Sequence, residues 1–374
     1  MANGFDDIPL IDNHAHPMVR VKAAAREPFA RYFTEGHDAE TVALHAPQTL
    51  FYRHALQELA GFLGCEAREE AVRAAREAQP PDVYLRRLLA DARVEGILLD
   101  DGYPRSGALT LDEVAAAAAV PVWRVLRLER LIEDLVPGCG TLAELTDAML
   151  RALDAARPSP AAVKSIIAYR TGLAIEPPED AACERSLAEV RAAWGGQTGR
   201  LASKPLLDTL IPLAAAWAAE RRIPVHFHTG FGDRDVDLRL ANPLHLRPLL
   251  EGGALAGPVV LLHAGYPFVR EAAYLASVYP NVYVDFSEAA PLLAGPGLTR
   301  VLEELLALAP VTKVLYGSDA WSIPEWFWLA ARAARRALGE ALVWLPAEEA
   351  RWAARRVLHD NAAALVEESG LGTA

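Results

Sequence analysis

Short apolar runs recur along the chain, and after each of them apolar positions return at three- and four-residue intervals. The runs near residues 8–13, 94–99, 120–127, 163–169, 223–228, 258–263, 281–286 and 313–317 predict strands, and the periodic stretches between them predict helices. Several runs are almost unbroken, as in Val259-Val-Leu-Leu262 and Val282-Tyr-Val-Asp-Phe286. That is the pattern of strands covered on both faces. Parallel strands joined by helical crossovers close on themselves at about eight units, so the expected fold class is α/β, a (β/α)8 TIM barrel.

Two stretches break the regular spacing. Between the first and second strands lies a long segment, about residues 18–90, rich in Ala, Glu, Arg and Leu with helical periodicity, for instance around Leu56 and over 66–78. It is far longer than an ordinary crossover and predicts a helical insertion standing over the rim, where it shields a site or meets a neighbouring subunit. A smaller insertion is expected over about 175–200. With 374 residues and 52% hydrophobic composition, one elaborated domain spanning 1–374 is the simplest organisation.

Charge and cysteine content narrow the function classes. Lys and Arg number 37 against 49 Asp and Glu, a net charge of -12, with no basic run, so no nucleic acid is expected as a partner. The longest apolar stretch, 114–123, is too short for a bilayer span of about 20 residues, so no membrane association is expected. The acidic start, with Asp6 and Asp7 leading into the first strand, lacks the pattern of a secretory signal, and a cytoplasmic location is the default. Cys65, Cys139 and Cys183 are odd in number and free of any CxxC pattern, which predicts small buried hydrophobes. A small-molecule substrate and a homo-oligomer are expected.

Chemistry enters at the ends of the runs. His14 and His16 follow the first, His228 the fifth, His263 the sixth and Asp319 the eighth. The C-terminal ends of barrel strands share one rim, so these side chains converge. His14, His16, His228 and Asp319 are the expected metal ligands, and neutral imidazoles with a carboxylate suit Zn2+, Mn2+ being the other candidate divalent ion. Asp319 and His263 are the expected catalytic residues, Asp319 taking a proton from attacking water. His263 either completes the metal shell or polarises the scissile carbonyl. His226 shares strand parity with His228 and is expected one layer lower or hydrogen-bonded to a ligand.

Lys164 lies on the fourth strand, where some metallohydrolases carry a carbamylated lysine bridging two metals. Several residues separate it from the expected rim at Tyr169 and Arg170, so a buried lysine held by a carboxylate is expected, with bridging by Lys164 or His263 as the alternative. Arg170 is a candidate clamp for a substrate carboxylate. The charged loop after His228 offers Asp233 for an ammonium group and Arg239 for a carboxylate, and Tyr169, His226 and Trp321 complete the expected substrate contacts, with Trp326 near Trp321 in an apolar wall. His37, His45, His54 and His359 fall in polar or helical segments and receive no role.

These residues resemble the amidohydrolase superfamily, in its amidohydrolase-related (family 2) branch. The segments Ile11-Asp-Asn-His14-Ala-His16, Lys164-Ser-Ile-Ile-Ala-Tyr-Arg-Thr-Gly172, the loop from His228 to His245 and His263-Ala-Gly-Tyr-Pro-Phe268 are most similar to the amino-terminal domain of FluG-type and nodulin/glutamine-synthetase-like fusion proteins. The resemblance implies a metal-dependent barrel with His14, His16, His228 and Asp319 at ligand positions and His263 as the strand-six histidine. Its pairing with glutamine-synthetase-like partners implies γ-glutamyl amide chemistry. The expected activity is therefore hydrolysis of a carbon–nitrogen bond. A metal-dependent decarboxylase of the same branch, or a binding module with a vestigial site, are the competing readings.

Overall fold

The computed structural model describes residues 4–372 apart from 25, 104–105 and 178. Its centre is a parallel sheet of β1 (Leu10–Met18), β2 (Val94–Asp100), β3 (Val122–Arg127), β4 (Ala162–Ser165), β5 (Val225–Phe227), β6 (Val259–Leu261), β7 (Val282–Asp285), β8 (Val314–Leu315) and β9 (Ala320–Ser322). Neighbours run in chain order from β8 back to β1, and β1 pairs on its other side with β9. β8 and β9 form one interrupted stave: Asn13 N donates to Tyr316 O at 3.0 Å and Asp319 N to His14 O at 2.8 Å, so the intervening residues stay against β1. The sheet thus closes as a (β/α)8 barrel, and the apolar runs are buried as strands covered on both faces must be.

Two strands end elsewhere than the apolar pattern predicts, and each difference moves a candidate site side chain. β1 continues through both histidines to Met18, because its pairing with β9 reaches Met18↔Ser322. β4 stops at Ser165 instead of running to 169. The buried Glu129 carboxylate accepts from Ser165 Oγ at 2.6 Å and from Ile166 N at 2.9 Å, and this turns the chain into a 3-10 turn at Ile167–Tyr169. Lys164 consequently sits close to the rim, which removes the spacing argument that set it apart from Tyr169 and Arg170.

Between β1 and β2 stand the helices Leu50–Leu63, Glu69–Glu77 and Pro81–Asp91, preceded by a 3-10 turn at Phe29–Phe33. Thr49 caps the first of these by accepting from Tyr52 N, and Gly64, at φ 69°, ends it. The segment packs on itself through Phe33 and Tyr52 and is tied to the barrel by Phe51 on Trp326 and by a part-buried Arg76–Glu325 ion pair. At the opposite end, buried Arg335 donates to Phe5 O, Ile8 O and Ala92 O at 3.1, 2.7 and 2.8 Å, joining the bottoms of β1 and β2. Cys139 and Cys183 are buried and Cys65 half-buried, all as free thiols. No helix of the described residues is long and apolar enough to cross a membrane.

Candidate metal centre

Alternate residues of a strand point to one face, so His14 and His16 both face the barrel axis at its upper end. Their Nε2 atoms lie 3.2 and 3.3 Å from the same oxygen, Asp319 Oδ1. His16 is oriented by its other nitrogen, which lies 3.3 Å from the Asp100 carbonyl at the end of β2. Asp12 braces the floor beneath: its carboxylate accepts from Ser318 N at 2.8 Å, Ser318 Oγ at 2.5 Å and His14 N at 3.2 Å. Asp319 and His263 hold left-handed backbones, at φ 53° and 65°, which non-glycine residues adopt only when their surroundings enforce it.

The other flank is built from β5, β6 and β7. His228 Nε2 lies 2.9 Å from Phe231 O; a carbonyl only accepts, so this nitrogen carries the proton and Nδ1 keeps its lone pair. The His228 and His263 rings lie 4.5 Å apart. Asp285 holds the neighbouring turn by accepting from Asn13 Nδ2 at 2.9 Å and Ser287 N at 2.7 Å. Glu288 follows at φ 57° and ψ -50°, a rare and strained turn geometry, with its carboxylate 3.6 Å from His263 Nδ1. Three sets of side chains bring ligand atoms within 4.8 Å of one another: His14, His263 and Asp319; His14, His16 and Asp100; and His228, His263 and Glu288.

These donors fit a divalent cation. Burial, reinforced by Lys164, pushes His226 and His228 down to about 3 and His14 well below its usual range; burial, with His228 beside it, does the same to His263. These imidazoles are therefore neutral, and a neutral imidazole keeps one lone pair that can coordinate a cation. Burial raises the Asp319 carboxyl, but the His16 contact and the nearby His263 outweigh it and hold Asp319 ionised, at about 2. Asp319 Oδ1 is buried without a hydrogen bond among the described residues. A buried, ionised oxygen 3.2 and 3.3 Å from two imidazole nitrogens, with no hydrogen bond among the described residues, is costly unless a cation sits among them.

Above this floor opens a cavity of about 240 Å³ lined by His16, Lys164, Tyr169, Arg170, His228, Asp233, His263, Glu288, Asp319 and Trp321 among others. Lys164 Nζ lies 2.7 Å from His14 Nε2 and 3.7 Å from Asp100, the carboxylate expected beside it, and Asp100 is paired with Arg127 Nη2 at 2.5 Å. Arg170 faces the cavity while Glu133 holds its guanidinium at 3.1 Å. Asp233 is fixed by its own amide, which donates to the Tyr169 hydroxyl at 3.3 Å. Gly232 makes this approach possible, since a Cβ there would lie 1.9 Å from that hydroxyl.

Three expected contacts lie elsewhere. Arg239 is exposed and outside the cavity, because Asp237 caps the turn at Leu238–Leu240 and holds the guanidinium at 2.7 Å on the outer face of the loop. His226 lies beneath the cavity, level with Lys164 in strand register and 6.3 Å from the His14 ring, so it does not line the substrate space. Neither of its ring nitrogens has a hydrogen bond among the described residues. Trp326 is fully buried in the core, donating to Tyr32 O at 2.7 Å.

Other participants were not singled out by sequence. Arg31, Glu35 and His37 reach the cavity from the insertion, Arg127 from β3 and Arg200 from the segment before β5. His37, expected to have no role, contacts Asp233 at 3.2 Å across the mouth. Burial, with Asp319 and Asp233 nearby, pushes Glu35 up to about 7. Asp100 and Glu288 did carry a signal, each being an acid just past an apolar run, the same context that marked Asp319.

Residues 177–367 match the family profile described as Amidohydrolase. Over 370 residues the chain is 34% identical to Protein fluG of Emericella nidulans, an alignment covering 90% of this chain and 42% of that protein. The chain thus spans less than half the length of this relative. A crystal structure assigned as a metal-dependent hydrolase from Lactobacillus casei ATCC 334 has a TM-score of 0.86 at 29% identity, covering 97% of this chain and 96% of that one. Uronate isomerase from Thermotoga maritima shares the fold, with a TM-score of 0.65 at 14% identity over 96% of this chain and 95% of its own.

Proposed function

Because this chain belongs to the amidohydrolase family, we propose that it hydrolyses the carbon–nitrogen bond of an amide in an amino-acid-like substrate, γ-glutamyl amides being the class it suits. The observation that carries this reading is the convergence of His14 and His16 on one Asp319 oxygen, at 3.2 and 3.3 Å, on the floor of a cavity of amino-acid size. His14, His16 and Asp319 would hold the divalent metal, with His228 and His263 on the facing flank. When bound, the metal supplies the Lewis acidity that makes water nucleophilic near neutral pH and polarises the amide carbonyl.

The chain's own residues divide the remaining work. Ionised Asp319 receives the proton of the attacking water and is close enough to the reaction centre to return it to the departing amine. Arg170 and Arg127 give the substrate carboxylate a cationic wall, and Asp233 with Glu35 gives the ammonium an acidic one. Tyr169 positions Asp233 through the hydrogen bond between its hydroxyl and the Asp233 amide. The insertion closes the mouth and limits water access through Arg31, Glu35 and His37. A zwitterionic head group follows from the wall charges; the γ-glutamyl class follows from the resemblance to proteins paired with glutamine-synthetase-like domains.

The test is incubation of Zn2+- or Mn2+-loaded protein with γ-glutamyl amides and, in parallel, with unsaturated carboxylic acids. Release of free amine from the first set is expected. Carbon dioxide from the second set, with no amine from the first, would assign a decarboxylase instead.

A further inference from the structure

We propose that the outer face of the helix Ala347–Arg355 is the contact surface of a two-fold homodimer, built on a Trp352–Trp352 contact between copies and flanked twice by Glu349 of one copy against Arg355 of the other. This surface is independent of the activity proposed above. It lies at the bottom of the barrel: Arg351 pairs with Asp7, which precedes β1, and the turn after the helix brings His359 to within 3.4 Å of Glu95 at the start of β2. The cavity opens at the opposite end, so the contact leaves the rim free.

Tryptophan exposure singles this surface out. The chain has 8 tryptophans. Trp217, Trp321, Trp326 and Trp328 are buried and Trp123 and Trp194 half-buried, whereas Trp344 and Trp352 are 77% and 55% exposed. Val343, beside Trp344, is 64% exposed, so three of the five most exposed large apolar side chains among the described residues fall within 343–352. A single exposed apolar side chain is ordinary, but a cluster that holds two tryptophans has the composition of an interface core. The other side of the same helix, Ala350, Ala353 and Ala354, is already buried in the core, which leaves the Trp352 face outward.

What covers this face follows from its charges. At 3.6 residues per turn, Glu348, Glu349, Trp352 and Arg355 share one side of the helix. All four are exposed. Glu349 stands three positions before Trp352 and Arg355 three positions after it, so the face is its own complement when a second copy is laid antiparallel across it. A two-fold axis through the tryptophan pair generates both Glu349–Arg355 contacts at once, whereas a parallel copy would set acid against acid. Within its own chain neither Glu348 nor Glu349 has an ion-pair partner among the described residues, and Arg355 reaches Asp360 at 3.3 Å in an exposed, weak pair. The net charge of -12 opposes unspecific self-association, so attraction between copies has to come from a local match of this kind.

Sedimentation equilibrium of the full-length protein tests this without substrate or metal. At micromolar concentration the wild type is expected to sediment as two chains, with tryptophan emission moving to shorter wavelength as dilute protein is concentrated. Trp352→Glu, at a position the core does not use, is expected to be monomeric with an unchanged far-ultraviolet circular dichroism spectrum. Glu349→Arg and Arg355→Glu each turn two attractive contacts into repulsive ones and are expected to weaken the dimer at least about tenfold. Mixed in equal amounts, these two variants are expected to pair with each other at wild-type affinity, because each supplies the sign that the other lacks. A wild type that stays monomeric throughout the micromolar range would overturn the proposal, as would a Trp352→Glu dimer as tight as the wild type. Failure of the mixture to pair would overturn the antiparallel arrangement.

Discussion

The two ends of the barrel treat buried polar groups in opposite ways. At the bottom, the guanidinium of Arg335 meets three carbonyls at 2.7–3.1 Å, and the charge is spread over the starts of two strands. At the top, among the described residues, Asp319 Oδ1 and both nitrogens of His226 lack hydrogen bonds, Glu288 has no Lys or Arg within ion-pair distance, and three candidate site residues, Asp319, His263 and Glu288, hold left-handed backbones. The strands are the same, so the difference lies in what each end is for. A satisfied buried charge stabilises the fold, and a set of unsatisfied ones is the imprint of something that binds.

The sharpest way to break this contrast is at Asp319. Asp319→Asn is expected to lower kcat by about 10³-fold or more, because under the proposed function it removes a metal ligand and the proton acceptor together. Stability should change by less than about 1 kcal/mol, since relief of repulsion among the carboxylates offsets the lost contacts to His14 and His16. Urea unfolding beside steady-state kinetics checks both halves, and a variant that unfolds would put Asp319 among the structural residues. The mirror experiment is Arg335→Met. It leaves three buried carbonyls without their donor and is expected to cost about 3 kcal/mol in urea unfolding, with kcat of the folded fraction unchanged.

Removing metal probes the top end as a whole. Dialysis against a chelator is expected to abolish turnover. It should also lower stability by about 2.7 kcal/mol relative to protein held at a hundredfold excess of metal over Kd, because the folded state alone assembles the ligands. Calorimetry with and without Zn2+ measures this. Equal melting temperatures would mean that the orphaned groups at the top are not the imprint of a cation.

The same contrast explains what could be read from the sequence. The strand-borne candidates are legible because a strand fixes direction: an apolar run ending in His or Asp places that side chain on the rim, and His14, His16, His228, His263 and Asp319 do converge there. The apolar pattern runs four residues past the end of β4 because Glu129, distant in sequence, bends the chain there, and no local pattern reports it. Glu35 and His37 were missed for a related reason. They sit in an irregular stretch of the insertion, where periodicity carries no direction, and only the folded chain brings them over the cavity. Asp100 and Glu288 are legible in principle, since each, like Asp319, is an acid just past an apolar run.

A finer comparison lies within the cavity itself, between its buried floor and its wet mouth. The His37–Asp233 contact joins the insertion to the β5 loop at 3.2 Å, with His37 38% and Asp233 28% exposed. Exposed pairs of this kind contribute about 0.2–1 kcal/mol, so His37→Ala is expected to raise KM by no more than about fivefold, with kcat unchanged. A loss in kcat as large as that of Asp319→Asn would move His37 from the mouth to the floor.

Arg239 is where sequence and structure differ most plainly, and it yields the smallest expected effect. Its position in a charged rim loop suggests a carboxylate clamp, but the fold turns it outward. Asp237 accepts from the Arg239 backbone amide at 3.1 Å and from its guanidinium at 2.9 and 2.7 Å, while the side chain is 88% exposed. To reach the cavity it would have to leave that bidentate pairing, the turn that Asp237 caps, and water. Arg239→Ala is therefore expected to leave KM and kcat within about twofold of the wild type, the range of surface substitutions. Arg170→Met, by contrast, removes a guanidinium that faces the cavity, and should raise KM for carboxylate-bearing amides by at least about tenfold. If Arg239→Ala raised KM as much as Arg170→Met does, the loop would have to refold around the substrate, and the boundary between floor and mouth would move with it.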